Sequence, residues 1–302
     1  MARRTGATHQ GSWKSLVFTS ILRTLGLCAV ISMLALPLKS YAVDQLGLDS
    51  VANFAVYANG ALTVNGSSTT VNGDVGLGPN GTQNFSTGFN INGTYLVDDT
   101  ANNNNLYSGG NFTGVVQNID SVGALVSSVS AYAASLMPTK TYTRLTGYDT
   151  ITGNGGDNII NVGSISYDGL HSLTLTGGVN DVFVFNVANY AAFYKANSTP
   201  IVLSGGVTAN HVLFNLESTS GNALSVATNI TLVGTFIAPS ASMSLLLSDE
   251  IYGGLFAGNN LALNSGTITA DVFAVPEPSS FALVGITCLF GLGVWSRRRQ
   301  RR

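Results

Sequence analysis

The run Leu173-Thr174-Leu175-Thr176-Gly177-Gly178 returns as Ile201-Val202-Leu203-Ser204-Gly205-Gly206, as Ile230-Thr231-Leu232-Val233-Gly234 and as Leu261-Ala262-Leu263-Asn264-Ser265-Gly266. The starts lie 28, 29 and 31 residues apart. Apolar residues alternate with small polar ones and glycine follows, which is the pattern of a short half-buried strand leading into a turn. A second echo, Gly234-Thr235-Phe236-Ile237-Ala238-Pro239 with Gly253-Gly254-Leu255-Phe256-Ala257-Gly258, repeats after 19 residues, and a third links Val64-Asn65-Gly66, Val71-Asn72-Gly73 and Ile91-Asn92-Gly93. Repeats of this length suit a β-solenoid, in which each coil buries its inward side chains against the next and Asn or Gly turns the corner. An antiparallel sandwich shares the alternation and the turns and is the competing fold.

One stretch departs from the β pattern. Val122, Leu125, Val126, Val129, Ala133 and Leu136 share a helical face, with Asp120 placed to cap the N-terminus and Pro138 just beyond the end. A single amphipathic helix is therefore expected over about 120–137, lying along the stack and covering an apolar face.

Charge is scarce: 9% of the 302 residues, against the ~25% of an ordinary soluble domain. Ten of the thirteen basic residues sit in the first forty residues or the last six, and between Val43 and Val275 three basic residues face fourteen acidic ones, a net of −11. Nucleic acid is excluded as a partner on that balance. The two cysteines, Cys28 and Cys288, lie in the apolar end segments, so the middle domain holds neither a disulfide nor a thiolate metal site.

The two ends read as addresses. A basic stretch from Met1 to Lys14, an apolar run from Leu25 to Leu38 and the small-x-small triplet Ser40-Tyr41-Ala42 make a secretory signal at residues 1–42, cut by signal peptidase between Ala42 and Val43. An uncleaved N-terminal anchor is the alternative, though the apolar run is shorter than the ~20 residues that span a bilayer. At the other end Val275-Pro276-Glu277-Pro278 precedes fifteen apolar residues, Phe281 to Trp295, and then Arg297, Arg298, Arg299, Arg301 and Arg302. The arginines should stay cytoplasmic, which places the middle domain outside, held by the C-terminal helix until processing. Motif, apolar helix and arginine cluster in that order resemble the PEP-CTERM sorting signal of Gram-negative bacteria. That resemblance makes 273–302 the sorting segment and implies an exosortase that cuts near Pro276-Glu277-Pro278, removal of Cys288, transient anchoring in the inner membrane, and delivery to the cell surface or an exopolysaccharide-rich matrix. A tail-anchored protein is the alternative.

The middle region, residues 43–272, carries a second resemblance. Thr70-Val71-Asn72-Gly73-Asp74-Val75-Gly76, Asp181-Val182-Phe183-Val184-Phe185-Asn186-Val187, Asn210-His211-Val212-Leu213-Phe214-Asn215 and Gly234 to Pro239 look like segments of bacterial ice-binding-like and choice-of-anchor exported domains. This implies a mainly β fold, a discontinuous right-handed β-solenoid with one long α-helix packed alongside.

Chemistry is hard to find. His171 and His211 sit in no metal or nucleophile motif, and no elbow motif singles out a serine. Asp98-Asp99 and Asp249-Glu250 read as solvated loop charges, because adjacent strand residues point to opposite faces. Gly153-Asn154-Gly155-Gly156-Asp157-Asn158 resembles one calcium-binding β-roll repeat, but a single copy reads as a plain turn. Thr174 with Thr176, Thr267 with Thr269, and Thr69 with Thr70 are the candidates for an ice- or ligand-binding surface; the first two pairs have the i, i+2 spacing of a shared strand face, but Ser204 and Val233 answer Thr176 in the next echoes, so ordinary surface threonines are the alternative. The expectation is a non-catalytic adhesive or structural protein without cofactor or metal, facing extracellular polysaccharide or a neighbouring cell. Ice is the alternative ligand, and a polysaccharide-degrading enzyme the remote one.

Overall fold

The computed structural model describes residues 46, 48–66, 68–101, 114–168 and 171–274. The expected signal segment and the sorting tail with its arginines lie outside them. Among the described residues no helix is long and apolar enough to cross a membrane.

Every strand pairing in the described residues is parallel, which sets aside the sandwich and leaves a solenoid. Each coil visits three faces in turn. The first face stacks residues 140–142 and 157–162, Val182–Val187, Val212–Leu216, residues 235–238 and 254–257, then Phe54–Ala58, Asp74–Leu77, Tyr95–Val97 and Gly114–Val116; the strands Lys140–Leu145 and Asp157–Tyr167 run on round the corner into the second face. The solenoid is thus discontinuous in sequence: the first strand, Phe54–Ala58, stacks on the last coil, with Val56 opposite Leu255. The chain climbs from that junction to Gly114–Val116, returns through α1 (Asp120–Ser135), and starts again at the far end with Lys140–Leu145.

The register explains the loose period. Gly234 faces Gly253, 19 residues on, and Val71 faces Ile91, 20 on, whereas Phe183 faces Val212, 29 on. The paired segments keep register face by face, and the corners between them absorb the difference. Leu173 does face Ile201, as the first echo implies, but Leu261-Ala262-Leu263 lies on the second face, so the fourth echo is out of phase with the others.

Inward side chains fill the prism in register. Phe185, Phe214 and Phe236 stack ring on ring, with centroids 4.8 and 4.7 Å apart and planes within 14°. Columns of identical residues bury apolar area at every step and keep the coils aligned. At the corner between the third and first faces the chain needs backbone that a Cβ forbids. Gly253 has φ +149°, and an added Cβ would sit 1.9 Å from the Gly234 carbonyl oxygen. Gly253→Ala is expected to destabilise the domain by about 2–3 kcal/mol in urea unfolding, because the backbone of the stacked coil blocks relaxation.

The helix appears where its periodicity places it, with Val122, Val126, Val129 and Ala133 buried against the outer side of the first face. Its start corrects one expectation: Ile119 occupies the capping position and Asp120 lies in the first turn, making no cap hydrogen bond. The Asp98 carboxylate does the anchoring instead, accepting the Ile119 amide at 3.0 Å and the Thr100 amide and hydroxyl at 2.9 and 2.6 Å. Burial pushes the Asp98 carboxyl up, but the Thr100 hydroxyl and the Ile119 and Thr100 amides outweigh it and hold the group below its ordinary value. Asp98 is therefore a buried anchor and not a solvated loop charge. Asparagines fasten the rest of α1: Ser130 donates to Asn215 Oδ1 at 2.6 Å, Asn215 Nδ2 donates back to the Ser130 carbonyl, and Asn186 Nδ2 reaches the Ala133 carbonyl at 2.8 Å.

Candidate functional site

With the first face covered by α1, two outer faces remain. The third carries the expected threonines. Thr174 and Thr176 point outward beside Thr150 and Thr152 on one side and Val202 and Ser204 on the other. Thr267 and Thr269 lie on the same face, and each continues into the first coil as Thr70 and Asn72. Between the two groups stand Glu250 and Tyr252, the direct neighbours of Thr267 and Thr269, both exposed. A charge and a bulky ring break the face, so the four threonines do not form one ladder.

The second face was not singled out from sequence, and it is the more regular. Seven parallel strands align Ser166, Ala192, Ser225, Ser244, Ala262, Thr63 and Asn84 residue opposite residue; Ser166 and Ala192 are buried, and the five from Ser225 to Asn84 reach the surface. At the usual ~4.8 Å between strands the surface part of the column runs roughly 20 Å. Flanking positions on the last three strands are equally short, Ala61 and Thr82 on one side and Asn264, Asn65 and Ser86 on the other, while exposed Leu247 stands beside Asn264. Asn65 Nδ2 donates to Asn264 Oδ1 at 2.9 Å, and Ser86 Oγ to the Gly66 carbonyl at 2.5 Å, which holds that edge in register. The inward partners Met243, Leu245, Leu261, Leu263, Leu62 and Val64 are buried, so the face is backed by a rigid core. The five surface members of the column carry no charge. Chemically, it is an extended array of hydroxyl, amide and methyl groups.

The other candidates serve the fold. The Gly153–Asn158 turn wraps the buried carboxylate of Asp181: Gly155 and Gly156 amides and Asn158 Nδ2 donate to Oδ1 at 2.7, 3.2 and 3.0 Å, and the Gly178 amide to Oδ2 at 2.8 Å. Donors surround the carboxylate, the inverse of the oxygen cage calcium requires. Burial raises the Asp181 carboxyl, and these four bonds more than offset it, leaving it below the ordinary range. Asp249 is also buried, again contrary to the loop-charge expectation. Its Oδ1 accepts the Ile230 amide at 2.9 Å while Oδ2 has no hydrogen-bond partner. Burial pushes its pKa up to about 7, with the Ile230 and Leu246 amides pulling the other way. Its neighbour Glu250 points outward, so the two carboxyls do not share a cleft. His171 lies 3.9 Å from the exposed Asp168, and His211 is lowered by burial, with Asp271 pulling it upward. Among the described residues no three His, Cys, Asp or Glu side chains converge on a point where a metal would sit.

Comparison with known proteins places this architecture. The family model of the ice-binding-like adhesive domain matches residues 40–269. The chain belongs to that family. A second model, the PEP-CTERM protein-sorting motif, matches residues 274–300. No curated protein sequence matches. Solved structures do: an ice binding protein from an Antarctic biological consortium (19% identity, TM-score 0.55, covering 74% of this chain and 90% of that one) and an ice-binding protein from the Antarctic ascomycete Antarctomyces psychrotrophicus (25%, 0.52, 74% and 98%). An ice-binding protein from an Arctic yeast, described as having antifreeze activity, is similar at 17% identity and TM-score 0.56, over 78% of this chain and 98% of that one. These likenesses establish the ice-binding-protein fold. The adhesive domain and the sorting motif together mark an exported, surface-associated protein processed by exosortase.

Proposed function

We propose that this member of the ice-binding-like adhesive family is a non-catalytic adhesin of the cell envelope or extracellular matrix of a Gram-negative bacterium, released from transient inner-membrane anchoring by cleavage near Pro276-Glu277-Pro278. Its second face binds extended, hydroxyl-rich polysaccharide. The supporting observation is the uncharged run of surface residues Ser225, Ser244, Ala262, Thr63 and Asn84, which offers repeated hydrogen-bonding groups and methyls along roughly 20 Å without the penalty of desolvating charge. The test is co-sedimentation with insoluble matrix polysaccharide. Thr63→Lys combined with Ser244→Lys should reduce retention at least tenfold while leaving stability within about 0.5 kcal/mol, since both side chains are on the surface. Unchanged retention removes the second face from the account.

The same flat column supports one other reading, ice as the ligand, and the ice-binding structural relatives favour keeping it. Thermal hysteresis and inhibition of ice recrystallisation, abolished by the same double substitution, would establish it. Activity that instead followed Thr174, Thr176, Thr267 and Thr269 would shift the site to the third face.

A further inference from the structure

A cleft of about 260 Å³ opens at the corner between the first and second faces, near the C-terminal end of α1. Its floor is Gly163 and Ala188, stacked in register with Glu217 on the next coil, and Ala134 of the helix forms one wall. The lower rim is the edge strand Lys140–Leu145, where Thr141 lies beside Asn161 and Tyr142 beside Val162. Small residues at the floor leave the space. Larger polar side chains ring it.

The polar groups are underused. Asn161 Oδ1 accepts one bond, from Asn186 Nδ2 at 3.3 Å, and its own amide nitrogen has no protein acceptor among the described residues. The Thr141 and Tyr142 hydroxyls are equally without protein partners there. Glu217 receives only a long contact from Asn215 Nδ2, 3.4 Å, on Oε1, leaving Oε2 open, and burial raises its carboxyl above the ordinary value. A carboxylate, a carboxamide and a hydroxyl lining one small concave space, from Glu217, Asn161 and Thr141, can hold the vicinal hydroxyls of a pyranose, while the Tyr142 ring, opposite inward-facing Val162, packs against the core. No cation lines the cleft, which disfavours phosphate or sulfate esters.

We propose that this cleft is a subsite for a single neutral sugar ring, bound by Glu217, Asn161 and Thr141 through its hydroxyls, with Ala134 and Ala188 against its apolar side. For ligand class it rests on the polysaccharide reading, yet it uses none of the second-face residues, so the two fail separately. The experiment is heteronuclear NMR titration of the purified protein with glucose, galactose, mannose and cellobiose, each taken to about 10 mM, a range that detects millimolar binding. The expected result is saturable shifting of the Asn161, Ala188 and Glu217 amides by at least one sugar, weakened tenfold or more by Glu217→Gln and abolished by Ala188→Phe, which fills the floor from an exposed position. Thr63→Lys with Ser244→Lys should leave this titration unchanged. Absence of saturable shifts at those amides with all four sugars overturns the proposal, as does binding that survives both cleft substitutions in variants whose spectra show the native fold. Loss of polymer retention with intact single-sugar binding would count against the second face alone.

Discussion

Asp181→Ala is expected to cost about 4–5 kcal/mol, the largest single effect in the domain. Four N–H donors, from Gly155, Gly156, Asn158 and Gly178, would lose their acceptor, those of Gly156 and Asn158 in buried positions. Hydrogen bonds to a charged group are worth about 1.5–3 kcal/mol each, and removing one partner of a buried set leaves the others unsatisfied. The two coils that meet there, at Gly153–Asn158 and Gly177–Asp181, would keep their backbone bonds, Gly153 to the Thr176 carbonyl and Val182 to the Gly156 carbonyl, but lose the carboxylate that ties their corners together. The pH dependence has a definite sign. The folded carboxyl is held below its unfolded value near 4, so its contribution is complete above about pH 4 and is lost as pH falls through the folded value. Urea midpoints for wild type and Asp181→Ala should therefore differ most at neutral pH and converge in acid. A constant difference down to pH 2 would mean that the loss is one of packing rather than of charge-assisted bonding.

Asp249→Asn should act in the opposite direction and stabilise the domain. With a folded pKa of about 7 against an unfolded value of 3.8, the folded state holds its proton more tightly. Stability falls as pH rises from about 4 to 7, and the penalty is complete above 7. A gap of that size between the folded and unfolded carboxyl corresponds to about 4 kcal/mol, an upper bound for the gain at pH 8. Asparagine keeps the acceptor for the Ile230 amide and removes the ionisation. The gain should vanish below about pH 4, where wild type carries a neutral carboxyl anyway. A variant no more stable than wild type at pH 8 would show that Asp249 ionises with little penalty, its unpartnered oxygen being met by solvent.

Solenoid architecture and α1 were legible because their signals are local: alternation of apolar and polar residues, glycine at corners, and a 3.6-residue periodicity from Val122 to Leu136. The second face was not, for a topological reason. Its central column joins Ser166, Ala192, Ser225, Ser244 and Ala262 to Thr63 and Asn84 across the junction of the two ends of the domain, so its order in space is not its order in the chain. Ser-Met-Ser-Leu, Leu-Ala-Leu-Asn and Ala-Leu-Thr-Val do announce small outward residues, but their alignment depends on coil lengths set by variable corners. The third-face threonines were found because pairs within one strand are visible, while their interruption by Glu250 and Tyr252 depends on register. Asp98 and Asp249 were misjudged because nothing adjacent in sequence identifies the amides of Ile119 and Ile230 as their partners, 21 and 19 residues away.

The pairing of Val56 with Leu255 has a consequence for timing. The opening coil lacks its lower neighbour until the closing coil, ending at Ala270, has been made and has crossed the membrane. Contacts across about 200 residues form slowly, and exposed strand edges in the meantime invite misassembly. Only a handful of residues separate Ala270 from Pro276-Glu277-Pro278. A chain paused in the bilayer by its tail would complete its last coil next to the lipid surface before any protease releases it, so retention at the membrane would double as a folding interval.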